Sequence, residues 1–209
     1  MTALNFIFDS ENVYIAMDTL SITVDEKKPF KFASKIFPLP HLRSVMCGTG
    51  NIDLILDWNK MINRNVISYD IDYLNILTTE ALRNLNSQYP KEVTSTIFQF
   101  GYSHKQNAFR GFVYRSTNDF NVEEYEYCAA IKPQVSFDFY EELSIHGVDE
   151  MFIKLITLQK YEDDLSKDKV GIGGEIHRFI MSKDSNQLDI IYRFPDHEEH
   201  YRDMISNLN

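Results

Sequence analysis

A threonine, an aspartate, a lysine and a glycine-rich segment, all within the first fifty residues, carry the chemistry that this sequence suggests: Thr2, Asp18, Lys35 and Gly48-Thr49-Gly50. A threonine hydroxyl is a poor nucleophile at neutral pH and needs a base. A free α-amine on the same residue can serve, because its unperturbed pKa of about 7.7–8.0 lies near working pH. A lysine ammonium beside that amine depresses its pKa and keeps it neutral. An aspartate beside the lysine keeps the lysine charged and oriented. Backbone N–H groups of a glycine-rich turn can face an oxyanion as it forms, at about 2.7–4 kcal/mol per donor. Each residue also has a plainer role: Thr2 in an edge strand, Asp18 in a turn, Lys35 on a solvated strand.

The elements around these residues are short and extended. Leu4, Phe6 and Phe8 alternate with Asn5, Ile7 and Asp9, which predicts a strand. Asp9 to Asn12 is a turn cluster, and Val13 to Met17 reads as the second strand of a hairpin ending at Asp18. Phe30 to Phe37 reads as one extended run with Lys35 near its end, and Val45 to Gly50 as a turn.

Then the period changes. Asn51 to Asn63 and Ile71 to Gln88 place apolar residues at helical spacing, and Pro90 closes the second helix. Three aromatic-rich strands are predicted at Thr94–Ser103, Ala108–Arg115 and Val122–Lys132. Pro133 to Ile145 has no clean period. Val148 to Leu165 reads as a third helix, with Glu162-Asp163-Asp164 opening a solvated charged exit. The segment Val170-Gly171-Ile172-Gly173-Gly174 leads to strands at Ile176–Met181 and Leu188–Arg193. No Gly-Lys-Ser/Thr follows these glycines, and their spacing is not that of a dinucleotide fingerprint. Pro195 to His200 lacks metalloprotease spacing and reads as a solvated end; His41, His104, His146 and His177 lack ligand partners at recognisable spacing.

Thr2, the run Val13-Tyr14-Ile15-Ala16-Met17-Asp18-Thr19, Ser34-Lys35-Ile36 and Val45-Met46-Cys47-Gly48-Thr49-Gly50 together resemble the proteasome β-subunit, and equally HslV, the bacterial proteasome-like peptidase. The likeness covers residues 2–50 and returns at 170–182, where the family also has a Gly-Gly turn before its closing strands. The resemblance implies an α+β fold, the four-layer αββα sandwich of N-terminal-nucleophile hydrolases, with residues 1–209 as a single proteasome-like domain. It implies that Thr2 is the nucleophile once Met1 is removed, that Asp18 and Lys35 are its charged neighbours, and that the turn at Gly48 supplies the oxyanion hole. The activity implied is threonine-dependent cleavage of peptide bonds. It further implies a homo-oligomeric ring and leaves room for an ATP-dependent unfoldase partner; on the apolar helix Ile52–Ile62, Trp58 and Met61 are candidates for contacts between copies, with interior packing the favoured role for Trp58.

The sequence also departs from the family. The family's serine in a Gly-Ser-Gly-like turn before the third helix is matched only loosely by Ser144, in Leu143-Ser144-Ile145-His146-Gly147. Where a serine is expected before the Gly-Gly pair stands Ile172, and Asp168 is an approximate match to the family's upstream aspartate. A retained Met1 would block the Thr2 amine. These points support a second reading, a catalytically inactive protein of this fold acting as a ring-forming or partner-binding module. An amidase acting on small amides is a third.

Composition sets outer bounds. The chain of 209 residues is 44% hydrophobic and 25% charged, enough for a sizeable core. A net charge of −10 disfavours nucleic acid and anionic membrane as partners. No apolar run reaches the length of a membrane span, and no signal peptide is evident. Cys47 and Cys128 form no disulfide framework, so a cytoplasmic location is expected, with no cofactor and no metal ion.

Overall fold

The computed structural model describes residues 2–23, 26–90 and 93–206. Its regular structure is mixed α+β with antiparallel sheets. Strands β1 (Leu4–Phe8) and β2 (Asn12–Asp18) form the expected hairpin, with Leu4 opposite Met17. The Asp9 carboxylate closes the turn by accepting the N–H of Glu11 at 2.7 Å and of Asn12 at 2.8 Å. A short ribbon follows, β3 (Leu20–Ile22) with β4 (Pro29–Phe32). Next come β5 (Ile36–Leu39), β6 (Ser44–Thr49), α1 (Ile52–Asn65), α2 (Ile71–Asn86), β7 (Thr96–Ser103) and β8 (Ala108–Arg115). The chain ends with β9 (Val122–Tyr125), β10 (Cys128–Lys132), α3 (Phe139–Leu165), β11 (Glu175–Ser182), β12 (Asn186–Arg193) and α4 (His197–Ser206).

Two five-stranded sheets result. The first has the order β10-β1-β2-β11-β12, the second β5-β6-β7-β8-β9. Period-two alternation explains how they pack. Phe6, Phe8, Val13 and Ile15 of the first sheet meet Val45, Cys47, Phe98 and Phe100 of the second in one cluster. The Phe6 ring lies 4.9 Å from Phe100, and Phe8 lies 5.4 Å from it. The intervening residues Met46, Ile97, Phe112 and Tyr114 face the other way, onto Leu54, Trp58 and Ile62 of α1 and Leu74 and Leu82 of α2. On the first sheet, Ala16 and Ile176 pack instead against Met151, Phe152, Leu155 and Ile156 of α3. Trp58 is fully buried within this chain, the interior role favoured for it, and is not free for contacts between copies; Met61 packs partly against the same cluster.

Helix starts follow the side chains that precede them. Asn51 accepts the N–H of Asp53 and Leu54, Asp70 that of Asp72 and Tyr73, and Asp138 that of Tyr140 and Glu141. Gly50 makes the entry to α1 with φ +104°; a Cβ there would lie 2.0 Å from the Thr94 carbonyl oxygen.

Five expectations are corrected. The run Phe30–Phe37 is two strands, β4 and β5, which belong to different sheets, and Lys35 lies in the break between them. Val45–Gly50 is mostly the strand β6, not a turn. The run Val122–Lys132 is also two strands: β9 pairs with β8, whereas β10 crosses over to pair with β1. The segment 133–145 is helical from Phe139, and Gly147, at φ +75°, interrupts that helix. Pro195–His200 is not a solvated end, since α4 begins at His197, whose ring stacks on Phe32 at 4.4 Å. Among the described residues, no helix is long and apolar enough to cross a membrane.

Candidate active site

Thr2, Asp18 and Lys35 meet in a buried cluster, exposed by 3%, 0% and 5% respectively. Asp18 ends β2, in the middle of the first sheet; it pairs with Ile176 of β11, and its neighbour Met17 pairs with Leu4 of β1. Thr2 lies two residues before β1, so the hairpin brings it back beside Asp18. The Thr2 hydroxyl donates to Asp18 Oδ1 at 2.9 Å, and the Ala3 N–H donates to the same oxygen at 2.9 Å. The break between β4 and β5 sends the Lys35 side chain inward. Its ammonium lies 3.2 and 3.1 Å from the two Asp18 oxygens, donates to the Leu20 carbonyl at 2.6 Å, and donates to the Thr2 hydroxyl. The hydroxyl therefore presents its proton to the carboxylate and a lone pair to the ammonium.

Burial pushes the Lys35 ammonium below the usual lysine range, and the Asp18 carboxylate opposes that shift without cancelling it. A lysine in that condition gives up a proton more readily than a solvated one. A stable, pairing carboxylate beside it keeps the charged form accessible.

Gly48 completes the set. It pairs with Ile97 of β7 on one side. On the other side β5 begins at Ile36, opposite Cys47, so the last residues of β6 run past its end. A small cavity of about 70 Å³ lies in that gap, lined by Thr2, Lys35, Gly48, Thr49, Gly50 and residues of β3 and α1. A Cβ on Gly48 would sit 3.0 Å from both Ile55 Cδ1 and the Thr96 carbonyl oxygen. A much larger hollow, about 930 Å³, opens along β10 and the start of α3. It contains none of these residues, whereas Thr2 and Lys35 both line the smaller one.

The glycine-rich segment before β11 approaches from the far side. The Gly173 N–H donates to Asp18 Oδ2 at 3.3 Å, and its carbonyl accepts the Leu20 N–H at 3.1 Å. That segment is held by Asp163, whose carboxylate accepts the N–H groups of Val170 at 2.6 Å, Gly171 at 2.9 Å and Ile172 at 3.3 Å. Asp163 is buried, a correction to its reading as part of a solvated charged exit. A signal was present: apolar positions Met151, Leu155 and Ile156 place Asp163 near the covered stripe of α3, unlike Glu162 and Asp164.

Other candidates lie apart from the cluster. Ser144 is on the outer, first part of α3 and donates to the Glu141 carbonyl. Ile172 is buried against α3. Asp168 is exposed, and its N–H donates to the Ser166 hydroxyl. Met1, and with it the expectation of its removal, falls outside the described residues. The described residues include no group of three or more His, Cys, Asp or Glu side chains placed to hold a metal ion.

The sequence matches no model of a known protein family and no curated protein.

Proposed function

We propose that the protein is an N-terminal-nucleophile hydrolase that cuts peptide or other amide bonds with Thr2, resembling proteasome β-subunits and HslV. The observation that carries this reading is the contact of one buried hydroxyl with both the Lys35 ammonium and the Asp18 carboxylate, at the wall of a cavity. Removal of Met1 frees the Thr2 amine. That amine takes the proton from Oγ1 as the oxygen attacks the carbonyl carbon. The Lys35 charge keeps the amine neutral beforehand and stabilises the alkoxide as it forms. Backbone N–H groups between Gly48 and Gly50 face the oxyanion. The C–N bond breaks, the α-ammonium returns its proton to the departing amine, and an ester on Thr2 remains. Water then hydrolyses that ester, with the same amine as base. The two facing sheets and their helices we read as the four-layer αββα sandwich of this class, formed as one domain over residues 1–209.

The test combines two measurements on protein made in its own host. Intact mass should correspond to a chain starting at Thr2. Fluorogenic peptide amides should be cleaved by the wild type, weakly by Thr2→Ser and not by Thr2→Ala. Undiminished cleavage by Thr2→Ala, or retained Met1 throughout the population, overturns the mechanism.

A second reading, an inactive member of this fold that binds partners or forms rings, is favoured by one observation. Asp18 is saturated by Ala3, Leu20 and Gly173 N–H groups, as a purely structural carboxylate would be. A chain retaining Met1, with no cleavage and a normal melting curve, selects this reading.

A further inference from the structure

Lys132 ends β10 opposite Leu4 of β1, two positions beyond Thr2, so it reaches toward the same end of the first sheet. Its ammonium spans the gap between the sheets and donates to the Thr49 hydroxyl at 2.9 Å. Thr49 is buried and lines the cavity that Thr2 and Lys35 also line. Burial pushes Lys132 below the usual lysine range, and the positive charge of Arg115 pushes it the same way. Arg115 is near because the row Thr49–Thr96–Arg115 runs straight across β6, β7 and β8.

The lysine has no counter-ion among the described residues. Among the described residues, none of the carboxylates lies within ion-pair distance of it, although the chain carries 31 acidic residues and a net charge of −10. Lys35 has Asp18, and Arg115 has Glu123. A half-buried ammonium paired only with a neutral hydroxyl is a costly arrangement. The Thr49 hydroxyl, having accepted from Lys132, keeps its own O–H, and that proton has no acceptor among the described residues. The site thus presents an ammonium with N–H groups to spare and a hydroxyl donor side by side. An oxygen anion with two acceptor atoms satisfies both.

We propose that Lys132 and Thr49 form a subsite for a carboxylate of the substrate, so that the enzyme selects acidic peptides next to the bond it cuts. The position relative to that bond rests on the hydrolase reading above; the carboxylate site itself does not. The carboxylate is that of an acidic side chain or of a peptide's free C-terminus. Lys132 acts in specificity and not in bond making, so its loss moves the ranking of substrates and not the nature of the reaction.

The experiment has two arms. In the first, Leu-Leu-Glu, Leu-Leu-Gln and Leu-Leu-Lys aminocoumarin amides are compared by kcat/KM. The wild type should favour Glu over Gln by about tenfold, the effect of one well-placed charge pair. Lys132→Gln should level the two, Lys132→Arg should keep the preference, and Lys132→Glu should favour the lysyl substrate. In the second, equilibrium binding of acetyl-Leu-Leu-Glu-amide, acetyl-Leu-Leu-Gln-amide and acetyl-Leu-Leu-Gln with a free C-terminus is measured by calorimetry on wild type and Lys132→Gln. The first ligand bound tighter than the second assigns the site to a side chain; the third bound tightest assigns it to a chain end. Preferential binding that is lost in Lys132→Gln, with no cleavage, supports the subsite and sinks the hydrolase. Cleavage with equal Glu and Gln rates, unchanged by Lys132→Gln, sinks the subsite and leaves the hydrolase. Neither binding nor cleavage sinks both. Lys132→Met, with matched melting temperature, controls for folding.

Discussion

Lys35 and Asp18 form a buried ion pair in which the ammonium lies almost equally far, 3.1 and 3.2 Å, from the two carboxylate oxygens. The partners are not equally supported. Asp18 also accepts from the Thr2 hydroxyl and from the N–H groups of Ala3, Leu20 and Gly173. Among the described residues, Lys35 has besides Asp18 only the Leu20 carbonyl and the Thr2 hydroxyl, neither of which carries charge.

That asymmetry predicts unequal mutants. Asp18→Ala strands a buried cation and leaves the Ala3 and Gly173 N–H groups without an acceptor, whereas Leu20 keeps the Gly173 carbonyl, and should cost about 3–5 kcal/mol. Lys35→Met removes the cation's desolvation cost and leaves Asp18 its remaining donors, so about 1–3 kcal/mol is expected. Both should abolish hydrolysis. Urea unfolding of the two variants checks the order; a less stable Lys35→Met than Asp18→Ala would refute it.

Lys35 also sets a pH dependence. Its native pKa is lowered by burial, whereas the unfolded chain keeps the ordinary value near about 10.4. Between the two values the unfolded state binds the extra proton, so native stability rises with pH through that window. The contribution is fully present above the unfolded pKa and is lost as pH falls through the native one. The stability of wild type relative to Lys35→Met should therefore rise as pH increases toward 10. A difference that stays flat or falls in urea titrations over that range would show that the lysine is not held below its ordinary value.

Asp163 should matter beyond its distance from the cavity. Asp163→Ala leaves the Val170, Gly171 and Ile172 N–H groups without their acceptor, at about 3 kcal/mol in all. Asp163→Asn keeps one acceptor oxygen and should lose less. Hydrogen exchange at those three amides should accelerate, and cleavage should drop because Gly173 loses its position against Asp18. Unaltered exchange at residues 170–172 would remove Asp163 from this role.

Much of the fold could be read from the chain. The β1–β2 hairpin, α1, α2, β7, β8, β11 and β12 follow from strict alternation or helical spacing bounded by turn residues. What could not be read were changes of sheet. Residues 122–132 keep strand-like composition throughout, because both sheets present the same pleat; only the partner changes, and the partner lies far away in sequence. The break at Lys35 was hidden for the same reason, because it separates two sheets. The start of α3 was obscured by Gly147, which interrupts the periodicity. Thr2, Asp18 and Lys35 were legible as candidates through residue type and order, whereas Asp163 showed only in its place near the apolar stripe of α3 and Lys132 not at all. Lys132 sits in a strand-like run whose local pattern says nothing of what its side chain meets.

The β1–β2 hairpin sits between β10 and β11, strands delivered late in synthesis. The Gly173 amide that meets Asp18 arrives 155 residues after it. A ribosome that has released everything through residue 165 has supplied Thr2, Asp18 and Lys35, yet not the segment that closes over them. Contacts this distant in sequence form last. The arrangement makes the buried cluster a record of completion: an interrupted chain contains Thr2, Asp18 and Lys35 without the Gly173 amide that closes over Asp18.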